Sequence, residues 1–176
     1  MSTSMLVLNL GLLAWILAAN LGTRTVTRAR LLIPLVVVAG VAAGYLEDVP
    51  TLGNDVALEA ALAGCGVLLG VVCGLLVPVF RRDGAAPGQL VMRAGAAYAA
   101  LWIAVVGGRI AFAYGADHWF ARDIARFSRD NLITGADAWT AGFVLMALAM
   151  VVTRVAVTGL RVARVTRTGS TAPAAA

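Results

Sequence analysis

The stretch VALEAALAGCGVLLGVVCGLLVPVF, residues 56–80, is the longest apolar run in the sequence and contains one charged residue, Glu59. A run of about 17–25 apolar residues is what an α-helix needs to cross the hydrocarbon layer of a bilayer. Glycines recur along it at every fourth position, at Gly66, Gly70 and Gly74. Small residues at this spacing let a neighbouring helix approach closely. The stretch therefore predicts a membrane-spanning helix with one face suited to helix packing.

The composition of the whole chain agrees with this interpretation. Hydrophobic residues make up 61% of the 176 residues, charged residues make up 13%, and the mean hydropathy is +0.89. A soluble domain has about 25% charged residues, and a single core of this size could not bury so much apolar surface. The net charge is +5 and the chain has no lysine. Its arginines lie mostly at the ends of apolar runs, which is typical of membrane topology and not of nucleic-acid binding.

Five apolar runs in the sequence are candidates for spanning helices. The lengths of most of them match the thickness of a bilayer, and the second is short. We therefore predict an all-α fold, a polytopic membrane helix bundle with five transmembrane helices in a single domain over residues 1–167. The five runs are residues 5–21, 31–46, 56–80, 94–115 and 138–160.

The placement of arginine predicts how this bundle is oriented. Arginines concentrate in three alternate segments, residues 22–30, 81–93 and 161–167, whereas the loop EDVPTLGND, residues 47–55, has none. The other outer loop, residues 117–137, contains three arginines, which four aspartates offset. The positive-inside rule assigns the three segments to the cytoplasmic side of a bacterial plasma membrane. The N-terminus is then outside and the C-terminus inside. Residues 168–176 are small and polar, and we expect them to form a disordered cytoplasmic tail.

The long outer loop contains an amphipathic segment, DHWFARDIARFSRDN, residues 117–131. On a helix its apolar side chains fall within an arc of roughly 140°. An outer interfacial helix over residues 118–131 is predicted, either as a surface-docked connector or as a lid or partner-docking element. Thr134 follows as the predicted N-cap of the fifth span, with Asp137 three residues later. The apolar residues of the interfacial helix are Trp119, Phe120, Ile124 and Phe127.

The two pairs of spans, two with three and four with five, resemble each other in plan. Each pair begins near arginines and turns through a short motif, TLGND in the first and TGAD in the second. Gly53 and Asp55 then correspond to Gly135 and Asp137. A duplicated hairpin is one interpretation, and the arginine pattern common to any two such hairpins is the other.

Small residues also form strips on two further spans. Gly40 and Gly44 lie four residues apart on the second span, and Gly108 continues a strip of alanines on the fourth. Such strips pack helices within one bundle, or they join a second copy of the chain or a partner membrane protein. The lipid bilayer is the partner common to all these interpretations.

Arg109 lies within the fourth apolar run, where an unpaired charge costs about 2.5–3.5 kcal/mol on insertion scales. Glu59 is the acidic residue within an apolar span and lies at a comparable depth in the third. A Glu59–Arg109 ion pair is therefore predicted, with Asp55, Asp117 or Asp137 as substitute partners. The alternative is that Arg109 lines an aqueous cavity that opens to the outside.

The usual catalytic constellations are not apparent in the sequence. Its one histidine, His118, cannot supply a haem ligand pair or a metal cluster of the usual kind. We expect a non-enzymatic membrane protein without cofactor or metal, acting by helix packing or as an accessory or assembly factor. The alternative is a small transporter or channel subunit, with Arg109 lining an outer cavity for an anionic solute.

Three short motifs carry a resemblance to a known family. They are TRARLLIP at residues 27–34, GGRIAF at residues 107–112 and TGADAW at residues 134–139. With these motifs the chain resembles the CcdC-like group of small bacterial membrane proteins, whose molecular role is unassigned. The resemblance implies a bacterial inner-membrane accessory protein, and it implies no catalytic residue.

Overall fold

The computed structural model of the protein describes residues 22–45, 50–81 and 90–170, together with Gly11, Ala14 and Ala18. This part of the chain is mostly helical, as predicted, and it adds a small sheet that the sequence did not predict. Its helices are α1 (Arg28–Tyr45), α2 (Asp55–Leu75), α3 (Ala96–His118), α4 (Ala121–Asp130) and α5 (Ala136–Ser170). Its strands are β1 (Gly22–Thr25), β2 (Val79–Arg81) and β3 (Leu90–Ala94).

Three of these helices are long and apolar enough to cross a membrane: α2, α3 and the part of α5 over Ala136–Arg167. The apolar part of α1, Leu31–Gly44, is shorter. The predicted first span, residues 5–21, lies almost wholly outside the described residues. The structure therefore supports a helical protein with three candidate spans, and it does not confirm five.

Several helix ends differ from the predicted ones. Helix α2 ends at Leu75, short of Phe80, because Pro78 has no N–H for a helical bond and Val79 begins a strand. Helix α5 continues to Ser170, so residues 168–170 of the predicted disordered tail are helical, and residues 171–176 lie outside the described part of the chain. The predicted interfacial helix is shorter than expected, because α3 extends to His118 and α4 begins at Ala121.

Helices α2 and α5 form the main packing contact of the bundle. A Cβ atom at Gly66 would collide with the carbonyl of Met146, one at Gly70 would lie 2.6 Å from the Met150 carbonyl oxygen, and one at Gly74 would lie 2.7 Å from Val157 Cβ. The α5 partners advance along the chain together with the glycines, so the two helices run in parallel. The backbones can approach this closely only because glycine has no side chain.

Helix α3 runs antiparallel to this pair. Near its start, Tyr98 lies beneath the guanidinium of Arg154, and near its end the ring of Phe112 contacts Trp139. Because α5 passes these partners in the reverse order, α3 crosses the bundle in the opposite direction. The up-and-down alternation of the three helices agrees with the predicted threading of the chain.

The sheet lies at one end of the bundle, which we call the sheet end. Its three antiparallel strands are ordered β1–β3–β2, and they come from the segments just before α1, just after α2 and just before α3. We call the opposite end the α4 end, because it holds α4 with the start of α2, the end of α3 and the start of α5. The segments that the sequence predicted to share one side of the membrane therefore do lie together.

At the sheet end, Arg161 of α5 caps the end of α2. Its Nη1 donates to the carbonyl oxygens of Leu75 at 2.9 Å, Val77 at 3.0 Å and Gly74 at 3.3 Å. The last carbonyls of a helix have no partner within it and carry the negative end of its dipole. The Arg161 guanidinium of the parallel helix donates hydrogen bonds to these carbonyls and places a positive charge at the negative end of the dipole. Helix α2 has no basic residue in its own last turn.

Candidate functional site

A cavity of about 540 Å³ opens at the α4 end, between α3, α4 and α5. Its volume is within the range of small-molecule sites, which is roughly 300–1,000 Å³. The inner part of the cavity is apolar and its rim carries polar groups. The apolar lining includes Phe112, Ile124, Ile133, Trp139 and Phe143, and the polar lining includes Asp117, Ser128, Arg129, Thr134 and Thr140.

An aromatic cluster forms the floor of this pocket. Phe112 of α3 lies at its centre, with ring centroids 5.1 Å from Phe143, 5.2 Å from Trp139 and 5.8 Å from Phe120. Rings at these separations stabilise each other beyond their burial alone. The floor is therefore an apolar surface contributed by α3 and α5, and Phe120 packs against it from outside the pocket lining.

Hydrogen bonds of the rim hold its side chains in place. Trp139 Nε1 donates to the Ser128 hydroxyl at 3.2 Å, which joins α5 to α4 across the pocket wall. Arg129 Nε donates to the carbonyl of Ala125, and Thr140 Oγ1 donates to the carbonyl of Ala136. The Arg129 guanidinium therefore stands against its own helix, beside the opening of the pocket.

The four apolar residues of the predicted interfacial helix do not share one environment. Phe120 packs over Gly115, where a Cβ atom would collide with the ring, and Ile124 lines the pocket. Trp119 and Phe127 remain 74% and 48% exposed. Helix α4 is thus a wall of the pocket on one side, and on the other it offers aromatic rings that suit the headgroup region of a bilayer.

A buried carboxylate ties the pocket rim to α2. Asp55 is 0% exposed and accepts two hydrogen bonds from Thr134, one from the backbone N–H at 2.8 Å and one from the hydroxyl. The prediction that Thr134 caps its own helix is wrong, because α5 begins only at Ala136. The hydroxyl is therefore available to α2, and Thr134 lines the pocket while it anchors the neighbouring helix.

The two turns that the sequence matched as possible repeats meet at this junction. The backbone N–H of Asn54 donates to the Leu132 carbonyl at 3.1 Å, and Asn54 Nδ2 donates to the Asn131 carbonyl at 2.9 Å. Gly53 has φ +57°, and a Cβ atom there would collide with the same Leu132 carbonyl. The turn before α2 therefore packs against the segment that leads into TGAD, a contact that the sequence pattern did not predict.

The predicted Glu59–Arg109 pair is not formed. Glu59 is 5% exposed, and its Oε1 has no hydrogen-bond partner among the described residues. It shares the helix face of Gly66 and Gly70, which packs on α5. Of the substitutes considered, Asp55 binds Thr134.

Arg109 is half-buried on the inward side of α3. It follows Trp102 at helical spacing and precedes Phe112 by one turn, so all three residues share a face. Trp102 belongs to the core and Phe112 to the pocket floor. The lining of the pocket includes Phe112 and does not extend to Arg109. Arg109 therefore lies about one helical turn from the pocket floor, on its sheet-end side.

The predicted small-residue strips fall into two groups. Gly66, Gly70 and Gly74 pack against α5 of the same chain. At Gly40, Gly44 and Gly108 a Cβ atom would have nothing within 4 Å among the described residues. The first strip therefore builds the bundle, and the others meet no other part of the described residues.

The sequence analysis missed Arg154, a charged residue within the fifth apolar run. Its Cζ lies 4.9 Å from the centroid of the Tyr98 ring, and Tyr98 is 0% exposed. An arginine over an aromatic face is attracted by the ring quadrupole. The pattern that could have predicted this contact was a basic residue inside an apolar run together with a tyrosine on a neighbouring span. Cys73, Val77, Trp102 and Met150 complete this core cluster.

No three histidine, cysteine or acidic side chains come together to hold a metal ion within the described residues. Comparison of the chain with known protein families, with curated proteins and with solved structures finds no match. The resemblance to the CcdC-like group therefore stays a prediction, and the pocket has to be interpreted from its own chemistry.

Proposed function

We propose that the chain is a non-enzymatic bacterial inner-membrane protein that holds an amphipathic ligand in the pocket at the α4 end. The observation that carries this proposal is the combination of an aromatic floor with a polar rim in one cavity. Phe112, Trp139 and Phe143 suit an apolar chain or ring system, and Arg129 and Thr134 suit a polar headgroup.

The position of the pocket supports an amphipathic ligand over a soluble one. The pocket lies beside the first turns of α5 and the last turns of α3, at the end of two apolar helices. A molecule that partitions into the interface of a bilayer would reach the opening from the side, past the exposed rings of Trp119 and Phe127. Its apolar part would then leave the lipid for the aromatic floor without entering water.

The distribution of charge supports placing this pocket on the outer side of the membrane. Eight arginines of the described part of the chain lie in the sheet, at the start of α1 or at the end of α5, whereas α4 carries three, Arg122, Arg126 and Arg129. The positive-inside rule then assigns the sheet end to the cytoplasm.

The test uses purified full-length protein in detergent and the fluorescent apolar probe N-phenyl-1-naphthylamine. Ala116 lines the pocket, so Ala116→Phe fills part of it, and we expect saturable probe binding to fall sharply. Ala104→Phe is the matched control, because Ala104 lies on the same helix with its side chain exposed. Equal probe binding by the two variants would show that the probe occupies the general lipid-facing surface, and the pocket proposal would then fail.

A second candidate function is the passage of an anionic solute, and the position of Arg109 is the observation that favours it. Arg109 precedes Phe112 by one turn of α3 and is half-buried, so an anion that passed the pocket floor would come close to this arginine. Sulfate or chloride that raises the melting temperature of the wild type but not of Arg109→Gln would favour this alternative. An equal response of both proteins would count against it.

A further inference from the structure

We propose that the sheet end is a binding surface for the headgroups of anionic phospholipids. The surface is centred on three exposed arginines of the sheet, Arg24, Arg81 and Arg93, which we call the basic collar. This surface is separate from the pocket and lies at the opposite end of the bundle. The inference is therefore independent of the ligand proposed above.

The sheet holds the three arginines close together. Arg24 and Arg81 are on the two edge strands, and Arg93 is on the central strand between them. In the register of the sheet, Arg24 is opposite Met92 and Arg81 is opposite Leu90. With neighbouring strands about 4.8 Å apart and residues about 3.4 Å apart along a strand, the three Cα atoms lie within roughly 12 Å. Directly paired residues share a face of the sheet and neighbours along a strand alternate, so Arg24 and Arg81 project from the face of Met92 and Leu90, and Arg93 projects from the opposite face. The collar therefore surrounds the sheet end, where each arginine can meet a separate phosphate group.

No acidic residue offsets these charges within the described part of the chain. Its six acidic residues all belong to the other half of the bundle, at or near the α4 end. Arg167, which is also exposed, adds to the positive field from the last turn of α5. Arg161 does not belong to the collar, because its Nη1 donates to three carbonyls at the end of α2, whereas Arg24 makes one long hydrogen bond, from Nη2 to the Ala18 carbonyl at 3.4 Å.

Exposed apolar side chains next to the collar favour a lipid over a soluble polyanion. Phe80 is 39% exposed and directly precedes Arg81 in β2, and Leu75 is 55% exposed at the end of α2. Leu160, 61% exposed, lies beside Arg161 on α5. A phospholipid satisfies both parts of this surface, since its phosphate meets the arginines and its acyl chains cover the apolar groups. A nucleic acid would leave the apolar groups in water.

The experiment titrates the detergent-solubilised full chain with dioctanoyl phosphatidylglycerol and, in parallel, with dioctanoyl phosphatidylcholine, following thermal stability. We expect the anionic lipid to bind more tightly, with a preference that decreases as salt is raised. Arg81→Gln with Arg93→Gln should weaken phosphatidylglycerol binding about fivefold for each arginine removed, and should leave phosphatidylcholine binding unchanged.

Two comparison variants make the result decisive. Arg122→Gln with Arg126→Gln removes the same charge from exposed positions on α4, and it should keep the full preference for the anionic lipid. Arg81→Lys with Arg93→Lys keeps the charge and should retain binding, which separates loss of charge from loss of folding. Equal losses in the collar and α4 variants would overturn the proposal. Tighter binding of a single-stranded oligonucleotide than of phosphatidylglycerol would also overturn it.

Discussion

Asp55 is the residue on which the α4 end depends most directly. Its carboxylate is fully buried at the first turn of α2, and both of its oxygens accept hydrogen bonds from Thr134. Hydrogen bonds to a charged group contribute about 1.5–3 kcal/mol each, more than neutral ones. This junction therefore joins the first turn of α2 to the segment before α5 through a charged acceptor. Thr134 in that segment also lines the pocket, so the same contact positions the pocket rim.

We expect Asp55→Asn to destabilise the protein by about 2 kcal/mol, because two hydrogen bonds to a charged acceptor become neutral ones, one of them with the Thr134 hydroxyl turned to accept from the amide. The same substitution at Asp137 is the matched control, since Asp137 is an exposed acid in the first turn of the parallel helix α5. Loss of the Asp137 charge should lower the free energy of unfolding by at most about 1 kcal/mol. Thermal unfolding in detergent measures both values, and similar values would show that Asp55 acts only on the helix dipole.

Removing the Thr134 hydroxyl tests the same contact from the other side. Thr134→Val keeps the backbone N–H, so only the second hydrogen bond to Asp55 is lost. We expect a destabilisation of about 1 kcal/mol alone. Combined with Asp55→Asn, the change should cost less than the sum of the two single changes, because the residues share one interaction. Additive losses would place the two residues in separate interactions.

At the scale of elements, the contact between α2 and α5 determines how the bundle holds together. Gly70→Leu would place a Cβ atom 2.6 Å from the Met150 carbonyl oxygen, so the helices would have to separate. Overpacking of this kind costs typically 1–3 kcal/mol. We expect a lower melting temperature in detergent for this variant.

Gly40→Leu is the control for that prediction, since a Cβ atom at Gly40 has no described residue within 4 Å. We expect its melting temperature to stay near that of the wild type. If Gly70→Leu is tolerated as well as Gly40→Leu, the close parallel contact is not what stabilises α2. A change in the size of the Gly40→Leu particle on gel filtration would identify α1 as a contact between chains.

At the scale of the whole molecule, the orientation in the membrane is open to a direct test. We expect a cysteine at Asp123, exposed on α4, to react with an impermeant maleimide in intact cells, and a cysteine at Thr166, exposed near the end of α5, to react only after lysis. The background carries Cys65→Ala, because Cys65 is exposed and Cys73 is buried. Labelling of Thr166→Cys in intact cells would reverse the assignment of the two ends.

The sequence by itself determined the local features of this protein. Three helices, α2, α3 and α5, are long and apolar enough to span a membrane, and each lies where the sequence has a long apolar run. Such a run predicts a spanning helix because only the apolar character of consecutive residues is needed to recognise it. The alternation of arginine-rich segments likewise predicted which chain segments meet at one end. Such properties depend on neighbours in the chain and on the solvent, and these can be inferred from composition and spacing.

The tertiary structure alone decided which faces and which distant residues meet. Asp55 and Thr134 are far apart in the chain, and the pocket takes its lining from three helices. Glu59 was assigned the wrong neighbour because apolar positions surround α2 on every side, so periodicity could not show which face packs on α5. The sheet was missed because strands of three to five residues are too short for an alternating pattern, and their pairing depends on the loops that α2 and α3 bring together.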